Sequence, residues 1–352
     1  MNKKFITRDR CLFVVVKCFL FLFFIFPGPA VGKENVVNPK EVYTYEIMRD
    51  DISLLKERYK DMLQVRKIGT SFYGKDLLAV KLGKGKKHIL IVGAHHGREW
   101  LTASLIMKML ETYAEARAEN SRLGPFSSGI FDEVSIWFVP MINPDGVAIQ
   151  QNRTEDIPLS MKFYLFLLNE GSNNFLRWKA NGQGIDLNRQ YPAGWAELPS
   201  EPSQPLYQFY KGTKPLEAPE VQALVHFTYE VDPLIAVAYH SSGREIYWKY
   251  KNKHEKRDKN IAWKLSSLTG YELSTPPPHA VGGGYTDWFI TTFNRPGFTI
   301  EICPSVVETS PPLSAFEEEW ERNKWVGVFL AEEAKKLAAQ GDGMEHGNGG
   351  EQ

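Results

Sequence analysis

The sequence predicts a single α/β domain built on a mixed, mostly parallel sheet flanked by helices. Three observations lead there. Short apolar, β-branched runs alternate with longer segments whose apolar residues recur at helical spacing. Neither an internal repeat nor a Ser/Gly-rich linker interrupts that alternation, so one domain is expected over roughly 42–340. The run Lys87–Val92 also passes through "GAHHGREW" into a helical pattern. That sets chemically loaded side chains at a strand end, where open α/β sheets build their sites.

The elements follow in order. Thr44–Met62 opens with a Thr44 N-cap and has an amphipathic helical pattern. Residues 65–83 read as two strands joined through a Tyr73-Gly74-Lys75-Asp76 turn. Lys87–Val92 is a buried strand and 100–116 the helix after the histidine turn. Glu133–Gly146 is a strand running into a Pro/Asp/Gly turn. A helix over 219–231 feeds a strand over 233–243 that ends in a histidine. Pro296–Ile302 is a strand carrying a glutamate, and 316–338 is one long final helix. Residues 341–352 are too polar to pack and are expected to be disordered.

The N-terminus is a different kind of sequence. Lys3, Lys4, Arg8 and Arg10 precede an unbroken apolar run, Cys18–Phe26, and "PGPAVG" then supplies helix breakers and small residues. That order reads as a secretory signal peptide over 1–32, with an uncleaved membrane anchor as the alternative. Only about ten residues then precede the domain, too few for an inhibitory pro-domain or a separate wall-binding module.

The 42 basic and 42 acidic residues cancel, so no overall field points to nucleic acid. Removal of 1–32 leaves 37 basic and 41 acidic residues, a net charge of −4. Cys11 and Cys18 lie in the signal, which leaves Cys303 alone. An exported chain of this size without disulfide cysteines suggests a bacterial source. Cys303 lies two residues past Glu301, so a buried, inert thiol on that side chain's face is expected.

His96-Gly97-Arg98-Glu99 sets an imidazole and a carboxylate three residues apart, where both can converge on one ion. A catalytic zinc takes three protein ligands and keeps one open position. His240, at the end of another strand, is available as the third; otherwise it would be a hydrogen-bonded core histidine. On spacing alone, either His95 or His96 can be the first ligand.

At this point the residues resemble a known family, the zinc carboxypeptidases related to pancreatic carboxypeptidase A. The resemblance runs from about Tyr43 to the last helix. "HGREW" resembles the first zinc motif, "NPDG" (Asn143 to Gly146) and "GIDLNRQYP" (Gly184 to Pro192) the central signature. "YHSS" and "FTIE" resemble the motifs of the third ligand and the catalytic glutamate. The resemblance implies a zinc carboxypeptidase-like fold and one Zn2+ per chain held by His96, Glu99 and His240, with His95 a structural neighbour. It implies Glu301 as the general acid/base and Arg177 as the cation beside the developing oxyanion. It implies Asn188 and Arg189 as the holders of the substrate's free carboxylate, a task suited to a planar guanidinium. Arg98, inside the first motif, is expected to face the substrate.

The chain also departs from the family. Counting back from Asp287-Trp288, the family's mobile tyrosine is replaced by His279, which can also donate a hydrogen bond. The pocket-floor position holds Thr286, where an aromatic-preferring enzyme would be apolar and a Lys/Arg-preferring one acidic. "HSSGREIYW" and "GGGYTDWF" look like a bacterial branch, the γ-D-glutamyl-L-diamino acid endopeptidases. That likeness implies a secreted cell-envelope peptidase acting on γ-D-Glu-diaminopimelate bonds of peptidoglycan stem peptides, with Arg244 reading the distal carboxylate. No nucleic acid and, after signal cleavage, no stable membrane partner are expected. The alternatives are a general metallocarboxypeptidase trimming C-terminal residues and a catalytically dead peptide binder. Intact His96, Glu99, His240 and Glu301 argue against the binder.

Overall fold

The computed structural model describes residues 35–345 apart from Asp156. The signal expected over 1–32 lies outside the described residues. Helix α1 (Tyr45–Arg58) starts at Thr44, whose hydroxyl caps the Ile47 amide as expected. Strands β1 (Leu63–Thr70) and β2 (Asp76–Leu82) form the predicted hairpin, with Gly74 at φ 86° in its turn. β3 (Lys87–Val92) leads into α2 (Leu101–Ala118). A small ribbon, β4 (Arg122–Leu123) and β5 (Phe126–Ser127), precedes β6 (Val134–Val139), α3 (Pro144–Gln150) and α4 (Leu159–Leu168). Then come α5 (Pro219–Val231), β7 (Ile235–Ser241), β8 (Glu245–Tyr247), α6 (Glu255–Thr269) and β9 (Glu272–Ser274). α7 (Tyr285–Phe293), β10 (Gly297–Ile302), α8 (Phe316–Asn323) and α9 (Val326–Glu345) complete the order.

Among the described residues, eight strands form one sheet in the order β1-β2-β6-β3-β7-β10-β8-β9. The four central strands, β6, β3, β7 and β10, are mutually parallel, and antiparallel pairs lie outside them. This is the mixed, mostly parallel sheet that the alternating pattern predicts. Its central strands are covered on both faces, which is why they read as apolar runs rather than alternations. Ile89, Ile91, Ile136, Phe138, Val237 and Ile300 pack on one face with residues of α1, α2 and α9. Leu90, Val92, Trp137, Val139 and Ala238 pack on the other with residues of α5 and α7. Among the described residues no helix is long and apolar enough to cross a membrane.

The C-terminal region differs from expectation at both ends. The single long helix is two, α8 and α9, and the break centres on Tyr113 from α2. Its phenol donates to the Lys324 carbonyl (2.8 Å) and accepts from the Gly327 amide (3.1 Å), supplying partners to backbone groups that the interrupted ladder leaves open. α9 then runs to Glu345, five residues into the segment expected to be disordered, because elongation of a formed helix costs little. Residues 346–352 lie outside the described residues.

Tyr113 is fully buried, so removing its hydroxyl strands a donor and an acceptor away from water. Tyr113→Phe is expected to lower the unfolding free energy by about 1–3 kcal/mol. Denaturant titration would read this as a lower midpoint at unchanged slope.

Candidate active site

The adjacency of β3, β7 and β10 decides where the chemistry collects. Their shared direction brings three C-terminal ends to one sheet edge. His96 and Glu99 follow β3, His240 is near the end of β7, and Glu301 on β10 pairs in register with His240. Around them opens a cleft of about 280 Å³.

The turn that carries His96 is built by its neighbours. Asn143, from "NPDG", donates through Nδ2 to the carbonyls of His95 (2.9 Å) and Ala180 (3.1 Å) and accepts the Gly146 amide (2.8 Å). Thr102 accepts the Ala94 amide and donates to the Glu99 carbonyl, both at 2.8 Å. Gly97 is required by packing: a Cβ there would lie 2.3 Å from the Gly146 carbonyl oxygen. The Gly97 amide donates to the Lys179 carbonyl (3.0 Å), which ties the turn to the segment before the central signature.

His96 Nδ1 lies 2.7 Å from Glu99 Oε1, His240 Nδ1 lies 2.8 Å from Glu99 Oε2, and the two Nδ1 atoms are 3.2 Å apart. Two imidazole nitrogens and a carboxylate therefore converge within 4.8 Å of one another, all buried. That donor set fits zinc. The buried Asp186 carboxylate fits it as well. Its Oδ1 lies 3.1 Å from His96 Nε2, which puts the ring proton there and leaves Nδ1 with its lone pair toward the convergence point. Burial by itself would raise Asp186, yet Lys179 and His96 hold it well below the usual carboxylate range. Glu99 is held down in the same way by His96 and His240 against the effect of burial. His95 is not part of the convergent set. It stacks on His240 at a centroid distance of 5.3 Å, and its Nε2 lies 3.1 Å from the Tyr191 hydroxyl.

Glu301, partly exposed to the cleft, faces this group. Burial, and then the Glu99 charge, push its carboxyl well above the ordinary range. Asn188 and Arg189 also line the cleft. Asn188 accepts the Tyr285 amide at the start of α7 (3.0 Å) and its own amide donates to Asp186 Oδ1 (3.1 Å). The buried Arg189 guanidinium makes one long hydrogen bond among the described residues, 3.4 Å to the Asn188 carbonyl, and is free to take an anion. Arg98 faces the cleft, held by the Arg177 carbonyl (3.0 Å) and Gln208 (3.2 Å). Thr286 lies in the lining with its hydroxyl 2.7 Å from that of Thr299. His279 is in the turn Pro278–Ala280, and its side chain lies outside the described residues.

The fold family follows from comparison. The model of the zinc carboxypeptidase family matches residues 48–325. The chain belongs to that family. This zinc carboxypeptidase is 34% identical over 301 residues to γ-D-glutamyl-L-diamino acid endopeptidase 1 of Lysinibacillus sphaericus, covering 84% of this chain and 74% of that protein. It is 29% identical to the uncharacterized protein YqgT of Bacillus subtilis (strain 168), over 79% and 75% of the two chains. Solved structures share the fold at low identity. Bovine thrombin-activatable fibrinolysis inhibitor superposes with a TM-score of 0.68 at 17% identity, over 85% of this chain and 99% of that one. Carboxypeptidase A from Helicoverpa armigera does so at 0.62 and 18%, over 85% and 76%.

Two expected site residues of this zinc carboxypeptidase are not in the cleft. Arg177 sits over the Tyr207 ring at 3.8 Å and donates to Asn169 and Glu170, partners that draw it outward. It contributes only the carbonyl that holds Arg98. Two residues on, Lys179 lines the cleft, with its ammonium 3.6 Å from Asp186. Its signal was present in "LRWKANGQGIDLNR", but two cations two residues apart cannot be ranked by spacing. Arg244 binds Glu318 and Glu319; it lies just before β8 with a left-handed φ of 56°, outside the alternation that puts Glu245 and Tyr247 on the side of Glu301. Cys303 is buried as expected but not on the face of Glu301. Its φ of 67° ends the alternation of β10, and it packs with Ile300 and Ile302.

Asp186→Asn removes the carboxylate that orients His96. Zinc affinity in a competitive chelator titration is expected to fall by about 10–100-fold.

Proposed function

We propose that this zinc carboxypeptidase hydrolyses the γ-D-Glu-diaminopimelate bond of peptidoglycan stem peptides and works outside the membrane of a bacterial cell. The observation that carries the chemistry is the convergence of His96, Glu99 and His240 opposite Glu301. The substrate reading is supported by the name of the 34% identical relative and by a cleft wall of threonine and tyrosine in place of an apolar slot. Export is supported by the basic and then apolar N-terminal sequence.

His96, Glu99 and His240 hold the zinc, which when bound supplies Lewis acidity toward an amide carbonyl and acidifies water. Glu301 accepts a proton from the attacking water and passes it to the leaving nitrogen, a transfer suited to a carboxyl whose protonated form burial favours. The Lys179 ammonium is placed beside the developing oxyanion, and its ion pair with Asp186 holds it there. Arg189 and Asn188 take the free carboxylate of the residue to be released. Arg98 faces the other side of the bond, where a γ-linked glutamyl residue presents its free α-carboxylate.

The zinc-loaded protein should release diaminopimelate from L-Ala-γ-D-Glu-meso-diaminopimelate, leave an ordinary L-peptide with a free C-terminus intact, and stop on addition of a chelator. Mass spectrometry of the products decides it; trimming of the L-peptide alone would make the enzyme a general metallocarboxypeptidase. Glu301→Gln should lower kcat by about 10²–10⁴ at unchanged zinc content. Steady-state kinetics should likewise show Lys179→Met losing about 10²–10³ in kcat, with Arg177→Ala changing it only a few-fold.

A further inference from the structure

The cleft wall beside Thr286 has a donor and acceptor polarity that identifies what it binds. β8 pairs antiparallel with β10, with Tyr247 opposite Thr299 and Glu245 opposite Glu301. Residues directly opposite in such a pair project to the same face. Glu245 and Tyr247 are therefore on the side of Glu301, and Tyr247, Thr299 and Thr286 all line the cleft. The Tyr247 hydroxyl donates to Glu245 Oε2 at 2.6 Å. Burial, and then the Glu245 carboxylate, push that phenol far above its ordinary pKa, so its proton stays in place. A phenol whose only proton is committed to a carboxylate can present only its lone pairs to a ligand.

The position of the wall fixes which part of a substrate it meets. Asn188 accepts the Tyr285 amide, one residue before Thr286, so the groups assigned to the released residue's carboxylate adjoin the wall. The side chain of that residue is what reaches Tyr247. We infer that Tyr247, with Glu245 behind it, accepts an ammonium group, and that the pair selects a released residue whose side chain ends in a primary amine, as in lysine or diaminopimelate. The inference rests on the proposed placement of the free carboxylate at Asn188 and Arg189. It assigns the selection to an acid on β8 and not to Arg244, which is paired with Glu318 and Glu319.

The test compares L-lysine with L-norleucine, which replaces the amine-bearing end with an uncharged methyl group. Calorimetry on the zinc-loaded protein reads binding of the free amino acids. Kinetics read cleavage of two series ending in either residue, L-Ala-γ-D-Glu-X and an N-acylated L-dipeptide. The lysine-to-norleucine ratio should be about 100 or more in the parent. It should fall by about tenfold or more in Glu245→Gln and in Tyr247→Phe, with zinc content and melting temperature reporting their integrity. A ratio near one in the parent, or one unmoved by both substitutions, overturns the inference. Cleavage of the L-dipeptides alone would refute the stem-peptide reading, while the lysine-to-norleucine ratio in that series still decides the role of the pair.

Discussion

One buried carboxylate, Asp186, ties the parts of this site together. It lies against His96 Nε2, accepts the Asn188 amide and pairs with the Lys179 ammonium. The His96, Glu99 and His240 group, the Asn188-Arg189 turn and the cleft cation thus share one anchor. A charge this far from water is tolerated only while all its partners are present, so the loops that supply them cannot shift independently. The long connection between α4 and α5, which contains Lys179, Asn188 and Arg189, is tied in by this contact, by the Asn143 bridge to Ala180 and by the Gly97 amide on the Lys179 carbonyl, among other hydrogen bonds.

The sheet sets the scale on which that anchor works. β3, β7 and β10 are neighbours, so the turn after β3, the end of β7 and the strand bearing Glu301 come within reach of one point. β8, running the other way along β10, adds the side wall. Its alternation puts Tyr247 into the cleft with Glu245 behind it, while Arg244, before the strand and left-handed, reaches Glu318 and Glu319.

Charge is distributed unevenly around the cleft. Arg98, Lys179 and Arg189 mark positions where anionic groups of a substrate or of a transition state are favoured. Glu301, and Glu245 behind Tyr247, mark the opposite preference. Asp287, at the margin, is pushed up to about 7 by burial and is fastened to the Gly282 amide at 2.7 Å, which shapes the glycine-rich loop. Such a cleft discriminates by where charges sit more than by apolar volume.

The sequence by itself determined the fold class, the six longer strands β1, β2, β3, β6, β7 and β10, the helices α1, α2 and α5, and, through its family motifs, the candidate ligands; α3, α4, α6 and α7 were not read from it. Apolar periodicity is a local signal, and His96, Glu99, His240 and Glu301 sit in short motifs at strand ends. The short β8 and β9 were not legible, since three-residue strands carry too little pattern. Nor was the break between α8 and α9, which depends on a tyrosine more than two hundred residues earlier in the chain. Only the tertiary structure decided between Arg177 and Lys179, and between Arg244 and Glu245. Long charged side chains go where distant partners and strand pairing send them. Asn169, Glu170 and Tyr207 draw Arg177 out, Asp186 holds Lys179 in, the pairing of β8 with β10 puts Glu245 on the side of Glu301, and Glu318 and Glu319 hold Arg244 away.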